Sequence, residues 1–311
     1  MRLNSWRVAV ATAVALLLVA TGCSNTKWNA ESPKWVIAST NFTETNLLAQ
    51  MYLQVLVAGG YDAEIKQLGT REVVVPALES GEVQITPEYL GSLTEYLNKA
   101  INGPDAPQVA TGDEVATFAA AQGLAAQRNL TLLPPSPAQD QNAFAVTQEF
   151  AAANRLVTMS DLAAYSQTNP VILGGPPECP QRPFCQPGLE SVYGMKIAEF
   201  VPLDAGGPLT VQALNQGKIT TGLVFSSSGS VAGNGLVVLV DDKRLQTAEN
   251  LLPAMFTPAA EPQVTELLNN VSAALTTDEL RELNEQVEIY RKNPRLVAEQ
   301  FLQDKGLLPA G

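Results

Sequence analysis

The chain has no histidine among its 311 residues. That removes the commonest general base and the commonest transition-metal ligand, so any catalytic reading has only Asp, Glu and Lys to work with. Positive charge is also scarce. Lys and Arg number 19 against 31 Asp and Glu, for a formal net charge of −12, and a chain of that sign is a poor candidate for nucleic acid. There are only three cysteines, too few and without His partners for a tetrahedral zinc site. The most apolar stretch, residues 8–20, is shorter than the ~20 residues that span a bilayer.

That stretch has a purpose of its own. Arg2 and Arg7 precede it and Ala20-Thr21-Gly22-Cys23 follows it, which is the layout of a secretory signal. The small residues before Cys23 resemble a bacterial lipobox, in which the cysteine is lipidated and becomes the first mature residue. The expectation is a signal peptide over residues 1–22, a lipid on Cys23, and a polar tether over 23–33. A single acyl chain anchors without spanning, here at the outer face of the cytoplasmic membrane. An ordinary signal peptide is the alternative. In an exported chain the remaining pair, Cys179 and Cys185, reads as a disulfide closing a short loop.

With 46% hydrophobic residues the chain can build two modest α/β cores. Two stretches share one plan. In residues 70–92, Ala77-Leu78 is followed by Gly81, a strand and Tyr89. In residues 209–229, Ala213-Leu214 is followed by Gly217, a strand and Phe225. Each alanine lies twelve residues before its aromatic. Two helix–Gly–strand units ending on a ring suggest two lobes facing each other, since open α/β sheets bind ligands at the carboxyl ends of their strands.

The rest of the chain fits strand–helix alternation. Residues 35–39 and 63–68 read as strands around a helix stopped by Gly59-Gly60. Residues 111–127 read as a helix with Thr111 and Glu114 at capping-box spacing, followed by a strand at 130–133. The Pro-rich stretch 134–142 is a candidate crossing between lobes. Strands are expected at 143–146, 171–173 and 236–240, helical stretches up to Tyr165, and a return crossing between Asp242 and Pro253. Residues 262–306 read as packing helices, punctuated at Thr276-Thr277 and at Asn293-Pro294.

Five motifs in order resemble the substrate-binding proteins of ABC importers, in the osmoprotectant branch that binds glycine betaine, choline and carnitine. They are NFTE (41–44), ALESGEVQITPEYLGS (77–92), RPFCQPGLESVYG (182–194), QALNQGKITTGLVFSSSG (212–229) and LVVLVDDK (236–243). The resemblance covers nearly the whole mature chain. It implies a two-lobed periplasmic-binding-protein fold of type II with two crossovers and a ligand cleft between lobes, with lobe 1 at 34–140 plus 247–311 and lobe 2 at 141–246. It implies a monomeric, non-catalytic protein without cofactor, whose partners are a compatible solute, permease subunits and a cytoplasmic ATPase.

The family holds the quaternary ammonium among aromatic rings, a cation–π device. Tyr89 matches the first box tyrosine, Ser92 a hydrogen-bonding threonine, and Phe225 a tyrosine before a polar turn that here begins at Ser226. Arg182 matches an arginine that pairs with the betaine carboxylate. Thr40, Thr43, Thr70, Asp140 and Asn142 complete the expected set. Departures are visible: Asn142 stands at one ring position, Glu249 or Asn250 near another, and Thr40 where some members have lysine. Those groups offer hydrogen bonds or negative charge instead of ring faces, which leaves open a polar, polyhydroxylated ligand. Bland readings also remain open, since Thr43, Glu44 and Thr70 suit helix starts and Asp140 and Asn142 suit Asx turns. A sensor without transport fits the same motifs. An exported hydrolase would need an activated nucleophile, and Ser226 to Ser228 have no His or evident Lys beside them.

Overall fold

The computed structural model describes residues 34–309 apart from Asn41, Glu178 and Ala205. Cys23, the signal segment and the tether lie outside the described residues.

The first sheet begins with β1 (Trp35–Thr40), α1 (Thr43–Ala58), β2 (Ala63–Gly69), α2 (Arg71–Glu79), β3 (Ile85–Tyr89), α3 (Leu90–Asn102), α4 (Glu114–Ala126) and β4 (Leu130–Leu132). The second is built from β5 (Asn142–Thr147), α5 (Gln148–Asn154), α6 (Met159–Tyr165), β6 (Val171–Gly175), α7 (Gln186–Tyr193), β7 (Ile197–Pro202), α8 (Pro208–Asn215), β8 (Thr221–Phe225), α9 (Gly229–Ala232) and β9 (Leu236–Val238). The chain then returns to the first sheet with β10 (Leu251–Phe256) and closes with α10 (Pro262–Ala274), α11 (Thr277–Glu288) and α12 (Pro294–Asp304).

The strand orders are β2-β1-β3-β10-β4 and β7-β6-β8-β5-β9. In each sheet the first three strands are parallel, and the fourth is an antiparallel strand supplied by a crossing segment. The likeness foreseen for two short units therefore extends to the whole sheet. Both faces of the first sheet are covered. Trp35 and Ile37 of β1 pack with α1 and the C-terminal helices, while Ala38 packs with α2, α3 and α4. A strand buried on both sides reads as an unbroken apolar run, as residues 35–38 do.

The two repeat units match bond for bond. Gly81 N–H donates to Leu78 O and Glu82 N–H to Ala77 O; Gly217 N–H donates to Leu214 O and Lys218 N–H to Ala213 O. Both glycines are left-handed, with φ of 75° and 66°, a helix ending that suits residues without Cβ. Tyr89 and Phe225 are the last residues of β3 and β8. Register places Leu251 opposite Tyr89 and Asn142 opposite Phe225.

Three expectations change. The cap of α4 is Asp113, whose carboxylate accepts Ala116 N–H at 3.0 Å; Thr111 instead bonds Thr117 across the preceding loop. The strand expected to reach Val240 stops at Val238, and Val240 makes an isolated bridge to Thr158. The helix α3, although Leu90, Leu93 and Leu97 recur at helical spacing before Gly103, and the edge strand β7, which is largely exposed, are not among the elements expected from the sequence. Cys179 and Cys185 are joined in a disulfide.

The two glycines also give a paired test. An L-residue in the left-handed region costs about 1–2 kcal/mol. A Cβ on Gly81 would also lie 2.8 Å from Phe256 Cε1, whereas nothing lies within 4 Å of one on Gly217. Chemical denaturation should therefore show Gly81→Ala losing more stability than Gly217→Ala; equal losses would contradict the packing described for β10.

Candidate functional site

The carboxyl ends of β1, β2 and β3 in the first sheet and of β8 in the second border one cleft, and two adjoining cavities occupy it. The smaller, about 260 Å³, is lined by the first lobe alone: Thr40, Phe42, Thr45, Thr70, Arg71, Glu88 and Tyr89 among others. The larger, about 550 Å³, lies between the lobes and is lined by Arg71, Ser92, Glu95, Lys99, Asp140, Asn142, Arg182, Phe184, Phe225, Thr247 and Glu249. Arg71 borders both.

The structure thus brings Tyr89, Thr40 and Thr70 together in the smaller cavity, and Ser92, Asp140, Asn142, Arg182 and Phe225 in the larger. Two expected residues stand elsewhere. Thr43 is in the first turn of α1 and lines neither cavity. Ser226 is buried against the crossing segment. Its hydroxyl donates to Gln139 O at 3.0 Å and accepts Gln141 N–H at 2.9 Å, because the turn after β8 folds back onto the crossing strand and away from the cleft.

The charges around the larger cavity balance. The larger cavity is bordered by three cations, Arg71, Lys99 and Arg182, and three carboxylates, Glu95, Asp140 and Glu249. Arg71 is fixed by a bidentate pair with buried Glu88, its Nε 3.0 Å and its Nη2 2.8 Å from Glu88 Oε2. Glu249 accepts Ser92 N–H at 3.0 Å, the Ser92 hydroxyl at 2.8 Å and the Thr247 hydroxyl at 3.2 Å; burial pushes its carboxyl above the usual range. Gly91 allows this approach, since a Cβ there would lie 3.0 Å from both Ala248 O and Glu249 Oε1.

Four rings face the cleft, two from each lobe: Phe42 and Tyr89, Phe184 and Phe225. Phe184 escaped the sequence reading although it sits inside the motif that singled out Arg182. The loop carrying it is tied by the disulfide and by Gln246 of the return crossing, whose Nε2 donates to Phe184 O at 2.8 Å.

Behind the cleft lies the joint between lobes. The two crossings run antiparallel side by side, with a bridge between Gln139 and Asn250 and a bond from Asp140 N–H to Glu249 O. Next to them, α9 of one lobe lies on α11 of the other. Gly229 permits this contact, since a Cβ there would be 2.3 Å from Glu285 N. From α11, Arg281 donates to Ser226 O at 3.1 and 2.9 Å, and Asn284 Nδ2 donates both to Ser227 O at 2.9 Å and to Glu44 Oε2 at 2.6 Å. Glu44 Oε1 accepts the Tyr89 hydroxyl at 2.8 Å. The expectation that residues 262–306 only pack is therefore corrected: α11 clamps the opposite lobe. Its sequence signal was a row of polar residues, Arg281, Asn284 and Glu288, at spacings that share a helix face.

Glu44 is fully buried. Burial, and then the charge of Asp140, push its carboxyl up to about 8, against the bonds from Ser227, Asn284 and Tyr89. Burial also raises Asp140 and Glu288, and raises the Tyr89 hydroxyl well above its ordinary value. Because the folded value for Glu44 exceeds the unfolded one, protonation favours the fold. That contribution is complete below the ordinary carboxylate value near 4.5 and is lost as pH rises toward 8. Thermal unfolding followed from pH 5 to pH 9 should show this loss, on the order of 1 kcal/mol per pH unit at most. Glu44→Gln should flatten it; an unchanged slope would show that Glu44 is ionised in the fold.

Among the described residues no group of three or more His, Cys, Asp or Glu side chains could hold a metal ion, and no helix is long and apolar enough to cross a membrane. Residues 34–304 match the profile of the OpuAC family, described as the substrate-binding domain of ABC-type glycine betaine transport systems. The glycine betaine-binding protein YehZ of Escherichia coli K12 is 31% identical over 274 residues, covering 85% of this chain and 88% of that protein. The carnitine transport binding protein OpuCC of Listeria monocytogenes is 24% identical over 249 residues, 77% of this chain and 75% of that one. The structure of apo YehZ superposes with a TM-score of 0.78 at 27% identity, covering 88% of this chain and 99% of the other.

Proposed function

The chain belongs to the OpuAC family of substrate-binding domains and is the substrate-binding component of an ABC importer for glycine betaine-type osmoprotectants, and from that premise we propose that its two lobes close on a small zwitterion with a methylated ammonium group. The observation that carries the ligand reading is the cleft itself. Two rings from each lobe face it, and the wall of its larger cavity holds three cations and three carboxylates. Ring faces attract a methylated cation by roughly 0.5–2 kcal/mol per good contact, while Arg182 supports a carboxylate through a charge-assisted bond. Tyr89, Phe225, Ser92, Asp140 and Asn142 would contact the ligand, with Thr40 and Thr70 at the inner end. Phe42 and Phe184 supply ring area that the motif positions lack.

In this reading the lobes are residues 34–140 with 247–311 and residues 141–246, and they turn about the paired crossings. The ligand shifts the population from open to closed, and the closed form docks on permease subunits served by a cytoplasmic ATPase. The chain is exported, lipidated at Cys23, held at the outer face of the cytoplasmic membrane, monomeric, and without a catalytic step.

Calorimetric titration of residues 24–311 with glycine betaine, choline, carnitine and a polyol tests the ligand class. Heat with a methylated ammonium compound is expected, with Tyr89→Ala and Phe225→Ala each weakening binding by about 3- to 30-fold. Heat with the polyol alone would overturn the zwitterion reading and leave a polar solute in its place.

A further inference from the structure

We infer that Glu249 sets how the cleft treats methylation of the ligand's ammonium group, so that zwitterions whose nitrogen still carries an N–H bind at least as well as the fully methylated one. The inference rests on the zwitterion reading above. Glu249 lies on the return crossing, and its half-buried side chain borders the larger cavity together with Arg182, Phe184 and Phe225. Its carboxylate is held by three donors, Ser92 N–H, Ser92 Oγ–H and Thr247 Oγ–H. An ionised carboxylate has about four acceptor positions. Two of the three bonds fall on Oε1 and one on Oε2, so Oε2 keeps an acceptor position with no partner among the described residues. Arg71 lies close enough for its charge to act on Glu249, but its hydrogen bonds, from Nε and Nη2, go to Glu88.

The consequence is a matter of hydrogen-bond accounting. A box made of rings alone has no acceptor for an N–H. An ammonium that still carries one gives up a water partner on entry and gains no replacement, so rings select for full methylation. A fixed carboxylate on the wall supplies the missing acceptor through a charge-assisted bond, while Phe184 and Phe225 still cover the methyl groups. Ser92 N–H holds the carboxylate in place, and Gly91 leaves room for it, since a Cβ there would lie 3.0 Å from Glu249 Oε1.

The test is the methylation series glycine betaine, dimethylglycine and sarcosine, titrated by calorimetry at pH 7 into the mature protein and into Glu249→Gln. The expected result is that the unaltered protein binds dimethylglycine at least as tightly as glycine betaine. In Glu249→Gln, whose amide turns N–H groups toward the cleft, the ratio of the two affinities should move toward glycine betaine by about tenfold, the size of one charged hydrogen bond. A ratio taken within one protein cancels any loss of folded material. If the variant does not fold, the order in the unaltered protein decides alone. Glycine betaine preferred by more than tenfold there, or the same ratio in both proteins, would overturn the inference and leave the zwitterion reading standing. Silence toward all three would remove both.

Discussion

The architecture turns on one side-chain amide. Asn284 Nδ2 donates to Glu44 at the start of α1 and to the Ser227 carbonyl in the turn after β8, so a single group in α11 touches both lobes. It does so in a fully buried setting, where an unmet donor or acceptor costs about 1–3 kcal/mol. Glu44 in turn fixes the Tyr89 hydroxyl, which leaves the ring of Tyr89, and not its polar tip, to border the cleft. The joint between lobes and the orientation of a ring at the cleft are thus parts of one hydrogen-bonded chain.

From that joint the rest follows by symmetry. Each sheet receives its fourth strand from a crossing segment, antiparallel to the strand that ends on Tyr89 or Phe225. The carboxyl ends of β1 to β3 and of β8 thereby border one cleft, the end of the sheet where α/β proteins bind ligands. The crossings also carry cleft groups of their own, Asp140, Asn142, Thr247 and Glu249. A turn about the crossings therefore moves part of the cavity wall as well as the lobes.

The sequence made the strand-end rings legible because a helix, a glycine and a strand repeat at the same spacing, and the left-handed Gly81 and Gly217 explain why glycine recurs there. The family, the two-lobed fold and the cysteine pairing were legible for similar reasons, each resting on local chemistry. What stayed hidden depends on long-range contact. Phe184 reaches the cleft through a loop tied by Gln246 from another part of the chain. Asn284 and Arg281 look in the sequence like the solvated face of an amphipathic helix, and only the close approach of α9 at Gly229 turns that face into a joint. Ser226 looked like a ligand contact because its turn matches a ligand-binding one, yet its hydroxyl is spent on the crossing backbone. Asp113 displaced Thr111 as a cap because both are competent capping residues and only the loop path decides between them.

The central claim is that the lobes close about the crossings when the cleft is filled. Small-angle X-ray scattering of the mature protein with and without saturating glycine betaine tests it most directly. The account predicts a smaller radius of gyration with ligand and a scattering profile matching a closed, two-lobed body. An unchanged profile under conditions where binding is seen by calorimetry would contradict closure and reduce the joint at Asn284 to a rigid brace.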